Sequence, residues 1–90
     1  MKVQFVLDLH NYTLDEALKQ LRTFISESIA FGYRKVRIVT GKGLHSPDGI
    51  AVLRPAVISA LRSDKRIREI DTNPKPQDGG SGAIVIIFKF

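Results

Sequence analysis

Ninety residues with an apolar share of 43% and no cysteine describe one small globular domain, residues 1–90, built on one core. Disulfides and thiolate zinc sites are excluded, and a reducing cytoplasmic compartment is expected. No apolar run reaches the roughly eighteen residues of a membrane span, and Met1-Lys2-Val3-Gln4-Phe5 lacks the features of a signal peptide.

The net charge of +5 is unevenly placed. Residues 1–33 carry Lys2, Lys19 and Arg22 against Asp8, Asp15, Glu16 and Glu27. Residues 34–68 carry Arg34, Lys35, Arg37, Lys42, Arg54, Arg62, Lys65, Arg66 and Arg68 against only Asp48 and Asp64. A basic middle segment fits a polyanionic partner. Composition alone favours the plainer reading, a solvated surface that keeps a small protein soluble.

Val3 to His10 alternates, with Val3, Phe5, Leu7 and Leu9 on one side and Gln4, Val6, Asp8 and His10 on the other. This predicts a strand with one face on the core and Asp8 and His10 sharing the opposite face at its C-terminal end. Thr13-Leu14-Asp15-Glu16 is a capping box. Leu14, Ala17, Leu18, Leu21, Ile25 and Ile29 follow at helical spacing, and Gly32 suits the end of that helix. Val36 to Thr40 predicts a second strand. Strand, long helix, strand implies a right-handed crossover with the two strands parallel, so His10 and Thr40 meet at one edge.

Gly41 to Gly49 reads as a loop, with Pro47-Asp48-Gly49 as a turn. Ile50, Leu53, Val57 and Leu61 predict a second helix. Its start is expected near Val52, so that Pro55 falls in the first turn. Lys65 to Asp71 reads as a short, exposed, alternating strand, and Thr72 to Gly82 as a long connection. Ala83 to Phe90 is nearly all apolar and predicts a central strand buried on both faces. The element order is β-α-β-α-β-β.

Several groups of residues could carry chemistry. Asp8 and His10 offer a carboxylate and an imidazole on one strand face, suited to proton transfer or to ligating a divalent ion. A strand end with two satisfied polar residues is the plainer reading. Gly41-Lys42-Gly43 offers close backbone approach and a point charge for phosphate. It lacks the spacing of a nucleotide-binding P-loop and could be a simple turn. His45 and Ser46 lie in the same loop and suit phosphate contact. Arg54, near the start of the second helix, could hold phosphate together with that helix's amides. Arg62, Lys65, Arg66 and Arg68 could extend a basic track. Asp78-Gly79-Gly80-Ser81-Gly82 is either flexible punctuation or a place of close approach to a backbone or ligand. Phe31 and Tyr33 suit core or lid better than base stacking.

Together these motifs resemble the Smr (small MutS-related) domain family. The resemblance is carried by Leu7-Asp8-Leu9-His10 with Thr13 to Ala17, by Thr40 to Ser46 with Gly49 and Leu53 to Val57, and by Gly79 to Ala83. It covers nearly the whole chain. It implies an α/β two-layer sandwich, with two helices on one face of a mixed four-stranded sheet, similar to the C-terminal domain of translation initiation factor three. It also implies nucleic acid, DNA or RNA, as the partner, and endonuclease or nicking activity with little sequence specificity. Asp8 and His10 would be the catalytic residues, and Gly41, Lys42, Gly43, His45, Ser46 and Arg54 the nucleic-acid-binding ones. Family members occur alone or as C-terminal parts of larger proteins. Two positions depart from the family pattern. Asn11 stands where glycine is usual, and asparagine tolerates left-handed geometry. Thr40 stands where one branch has histidine, and His45 is the imidazole that could replace it. One aspartate and one or two histidines fall short of a full hard-cation set, so the metal stays open, with magnesium and manganese the ions to test. The alternative to an endonuclease is a non-catalytic module binding structured or branched nucleic acid. A protein-interaction domain facing an acidic partner is a third reading.

Overall fold

The computed structural model describes residues 1–41 and 49–89, the side chains of residues 49–51 excepted. Strands β1 (Phe5–Asp8), β2 (Lys35–Val39), β3 (Ile67–Asp71) and β4 (Ala83–Phe88) form one sheet in the order β1-β2-β4-β3. Strands β1 and β2 are parallel, and β4 runs antiparallel to both neighbours. Helices α1 (Leu14–Ala30) and α2 (Gly49–Arg62) cover one face. This is the mixed α/β sandwich that the sequence implies.

Local chemistry explains where the elements begin and end. At the start of α1, the Thr13 amide donates to Glu16 Oε1 (3.0 Å) and the Glu16 amide donates to Thr13 Oγ1 (3.3 Å), closing the capping box. Past Phe31 the chain turns at Gly32, whose φ of 76° is open to glycine without strain. Ala17, Leu21, Phe24 and Ile25 of α1, together with Leu53, Val57 and Leu61 of α2, pack onto Leu9, Val36, Ile38, Ile84, Ile86 and Phe88 of the sheet. Among the described residues, no helix is long and apolar enough to cross a membrane.

Three expectations need correction. Helix α2 begins at Gly49 rather than near Val52, which places Pro55 inside it. A proline there removes one helical hydrogen bond and costs roughly 3 kcal/mol. Leu53 before the proline and Val57 and Leu61 after it are 3%, 0% and 0% exposed, and each buried side chain returns about 1.5–3 kcal/mol, enough to carry the helix through Pro55. The third strand does not alternate evenly. A bulge between Ile67 and Glu69 shifts the register, so Ile67 and Ile70, three residues apart, both reach the core. The Thr72 to Gly82 connection contains two 3-10 turns, Pro76–Asp78 and Gly80–Gly82. The Pro47-Asp48-Gly49 turn lies outside the described residues except for Gly49, which is helical.

That connection also accounts for the burial of β4 on its second face. Ile84, Ile86 and Phe88 face the helices, whereas Ala83 and Val85, 1% and 5% exposed, point the other way. Gly79 sits directly over Ala83. A Cβ on Gly79 would come within 2.6 Å of Ala83 Cβ and 2.9 Å of Arg37 Cδ, and its φ is 116°. Only glycine meets both constraints. Gly79→Ala should therefore lower stability by about 1–3 kcal/mol, read as a clear fall in Tm. An unchanged Tm would mean that the turn does not seat on Ala83.

Candidate active site

The first strand ends at Asp8 rather than at His10: alternation leaves Asp8 on the helix-free side and Leu9 fully buried in the core, while His10 stands in the turn beyond the strand. Leu9 continues the ladder, its amide donating to the Val39 carbonyl at 2.8 Å. Beyond it the backbone turns, and the Asp8 carboxylate stabilises the turn. Asp8 Oδ1 accepts from the His10 amide at 3.1 Å and from the imidazole Nδ1 at 2.5 Å. The ring hydrogen bond is the largest of the effects that hold the Asp8 carboxyl below its ordinary value; partial burial opposes it, and the His10 amide and charge assist.

An ionised carboxylate only accepts, so Nδ1 carries the hydrogen, and whenever the ring holds a single proton Nε2 is left as an acceptor. The side chains of Asp8 and His10 are 52% and 51% exposed, so the pair is open to a large substrate. Asn11 raises no difficulty here: among the described residues no non-glycine residue has a positive φ, so this turn needs no left-handed residue.

Parallel pairing of Asp8 with Val39 brings the end of β2 beside this pair. The Thr40 and Gly41 amides both donate to the Gly82 carbonyl, at 3.0 and 3.1 Å. The glycine-rich segment before β4 thus approaches protein backbone closely, and the Gly41 N–H is already engaged there. Lys42, Gly43, His45 and Ser46 lie outside the described residues.

Thr40 is fully buried, and its hydroxyl accepts from Arg54 Nη1 at 3.2 Å. Arg54 was expected to face phosphate, but its guanidinium turns inward. Nη2 donates to the Thr72 carbonyl, and both Nη1 and Nη2 lie 3.4 Å from the Ala83 carbonyl. Arg54 thereby ties together the ends of β2, β3 and β4. The clue was in the spacing: Arg54 lies three and four residues before Val57 and Ile58, on the flank of the apolar stripe.

Arg66 and Arg68 of the expected basic track lie elsewhere. Ile67 pairs with Phe88, so β3 begins at the edge opposite Asp8. There Arg66 Nη2 holds Asp64 Oδ2 at 2.8 Å, and Arg68 lies 3.6 Å from Glu69. Tyr33 packs on Phe5 (5.3 Å between centroids), while Phe31 is 69% exposed beyond the end of α1. Among the described residues, no group of three or more His, Asp or Glu side chains could hold a metal ion. Asp8 and His10 would supply two ligands.

Two expectations about stability follow. Arg54→Leu leaves the Thr72 and Ala83 carbonyls and the Thr40 hydroxyl without this donor, so it should cost about 1–3 kcal/mol and lower Tm. A phosphate-binding Arg54 would instead leave Tm unchanged and weaken binding. Asp8 and Asp64 are held below their ordinary value of 3.8, and Glu16 below 4.5, by hydrogen bonds from His10, Arg66 and Thr13. A depressed folded-state value means that the stabilisation is present above the ordinary value and lost as pH falls through the depressed one. Tm should therefore fall on acidification below about pH 4. Asp64→Asn should flatten that fall most, because the Asp64 side chain is 14% exposed whereas that of Asp8 is half exposed.

With this geometry established, the chain can be set beside known proteins. The Smr domain family model matches residues 7–89. Endonuclease MutS2 of Finegoldia magna is 34% identical over 83 residues, which span 92% of this chain and 10% of that protein. An uncharacterized protein of Treponema pallidum is 35% identical over 83 residues, covering 92% of this chain and 40% of that protein. The chain thus spans about a tenth of the length of the MutS2 relatives it matches. Among solved structures, the Smr domain of Thermus thermophilus MutS2 superposes with a TM-score of 0.81 at 31% identity, covering 97% of this chain and all of that one. YdaL, a stand-alone small MutS-related protein of Escherichia coli, superposes with a TM-score of 0.86 at 25% identity, covering 97% and 69%. Sequence and fold agree over nearly the whole length: the chain belongs to the Smr domain family.

Proposed function

We propose that this domain binds nucleic acid and nicks its phosphodiester backbone, with Asp8 and His10 at the reacting phosphate. The observation that carries the reading is the hydrogen bond from His10 Nδ1 to Asp8 Oδ1 at an exposed sheet edge. Asp8 holds the ring in one orientation and tautomer, which leaves Nε2 to act. Nε2 takes a proton from the attacking oxygen, either water or a ribose 2′-hydroxyl. As the new P–O bond forms and the old one breaks, the imidazolium returns a proton to the leaving oxygen. The basic middle of the chain favours a polyanion. Lys42, Gly43, His45 and Ser46, which follow Gly41, are the proposed phosphate-binding segment. The names of the MutS2 relatives, endonucleases, support the same chemistry.

Binding without cleavage is the second reading, and Thr40 favours it. This position, where one branch of the family carries histidine, holds a buried hydroxyl engaged by Arg54, so it supplies no second imidazole.

A nicking assay separates the two. Supercoiled plasmid and labelled hairpin RNA are incubated with wild type, Asp8→Asn and His10→Ala, each with magnesium, manganese or EDTA. Cleavage by wild type that falls about 10²–10⁴-fold in both variants is the expected result. Equal cleavage in all three proteins would remove Asp8 and His10 from the chemistry. Retained binding with no cleavage by wild type would establish the binding module.

A further inference from the structure

The helix-free face of β1 and β2 carries more than the Asp8–His10 pair. Val6 lies opposite Arg37, and Asp8 opposite Val39, which in turn lies opposite Ala83. Asp8, Val39 and Ala83 therefore form one row across the sheet, with Val6 and Arg37 in the next row back.

The two cations of β2 on this face differ. Lys35 Nζ is engaged by Asp78 Oδ2 at 3.4 Å and the Met1 carbonyl at 3.1 Å. Arg37 makes no hydrogen bond or ion pair among the described residues. Its stem is nevertheless confined. The Gly79 Cβ position that lies 2.6 Å from Ala83 Cβ also lies 2.9 Å from Arg37 Cδ, with Nε 3.7 Å away. The side chain thus leans along β2 towards the row that holds Asp8, Val39 and Ala83, on the β4 side of that row. The acids nearby are already engaged, Asp8 by His10 and Asp78 by Lys35. Val6, 43% exposed, and the half-buried Val39 give the strip between them an apolar floor.

A guanidinium whose stem packs against a turn and whose head has no partner among the described residues is prearranged for a phosphate oxygen pair. The geometry points to Arg37 as the anchor for the backbone phosphate next to the one facing Asp8 and His10. The substrate strand then crosses the helix-free face from Asp8 on β1 over Val39 of β2 towards β4. This rests on the nucleic-acid reading above and adds the path of the strand and a residue that sets its register.

The test measures binding, not cleavage. Fluorescence anisotropy follows a fluorescein-labelled DNA duplex and a labelled hairpin RNA, each titrated over a range of salt in an Asp8→Asn background that keeps the probe intact. Arg37→Gln should weaken binding about tenfold. It should also reduce the slope of log K against log salt by about 0.9 on duplex DNA. Arg37→Lys keeps the charge, and so the slope, while losing part of the affinity. Because the Arg37 stem packs under Gly79, thermal melts accompany each variant, and the lysine variant serves as the control that retains the stem. Unchanged affinity and slope in Arg37→Gln would overturn the role of Arg37 and leave the nucleic-acid reading standing. No binding of either probe by the parent protein at low salt would overturn both.

Discussion

The parallel register of β1 and β2 is the constraint on which the rest of the site depends. Because Asp8 pairs with Val39, the chain leaves both strands at the same edge. The one-residue alternation of the ladder then decides sides: Leu9 and Thr40 go inward and Asp8 outward, and the hydrogen bonds to Asp8 keep His10 of the following turn beside it. A slip of one residue would bury the carboxylate and expose Leu9, reversing the site. The burial of Leu9, Val36 and Ile38 under α1 and α2 is what forbids that slip.

Around this register the edge is held by few contacts with large consequences. The Gly82 carbonyl takes two amides, and Arg54 reaches the ends of three strands. Each joins segments far apart in sequence, so each closes a long loop. Stability and site geometry are coupled here: Gly79, which seats the turn over Ala83, also lies against the Arg37 stem. Family likeness at Gly79 to Gly82 therefore has a structural explanation independent of ligand contact.

The site divides into a rigid part and an exposed part. Thr40, Arg54, Ala83 and Leu9 are buried or half-buried and make hydrogen bonds or core contacts within the protein. Asp8, His10 and Val6 present their chemistry to solvent. A shallow, open edge suits a long polymer that brings its own surface to the contact, whereas a small ligand needs an enclosing pocket. On the proposed nucleic-acid reading, electrostatic attraction from a basic domain supplies much of the affinity, and the edge itself the position of the bound backbone.

The amino-acid sequence by itself determined the elements whose signals are local. The alternation of Val3 to His10, the Thr13–Glu16 box and the apolar run from Ala83 each encode their conformation in neighbouring residues. The juxtaposition of Asp8 with the start of the Gly41 segment was legible too, because a strand–helix–strand order leaves little choice but parallel pairing. Tertiary structure alone decided the rest. Pro55 sits inside α2 because distant core residues outweigh a local penalty, and the β3 bulge exists because β4 sets its register. Arg54 faces inward because three carbonyl and hydroxyl acceptors converge on it from other strands. Arg37 is singled out from Lys35 only because the turn at Gly79 folds back over the sheet. A side chain's partners are set by what the fold brings to it, and that lies beyond the reach of local pattern.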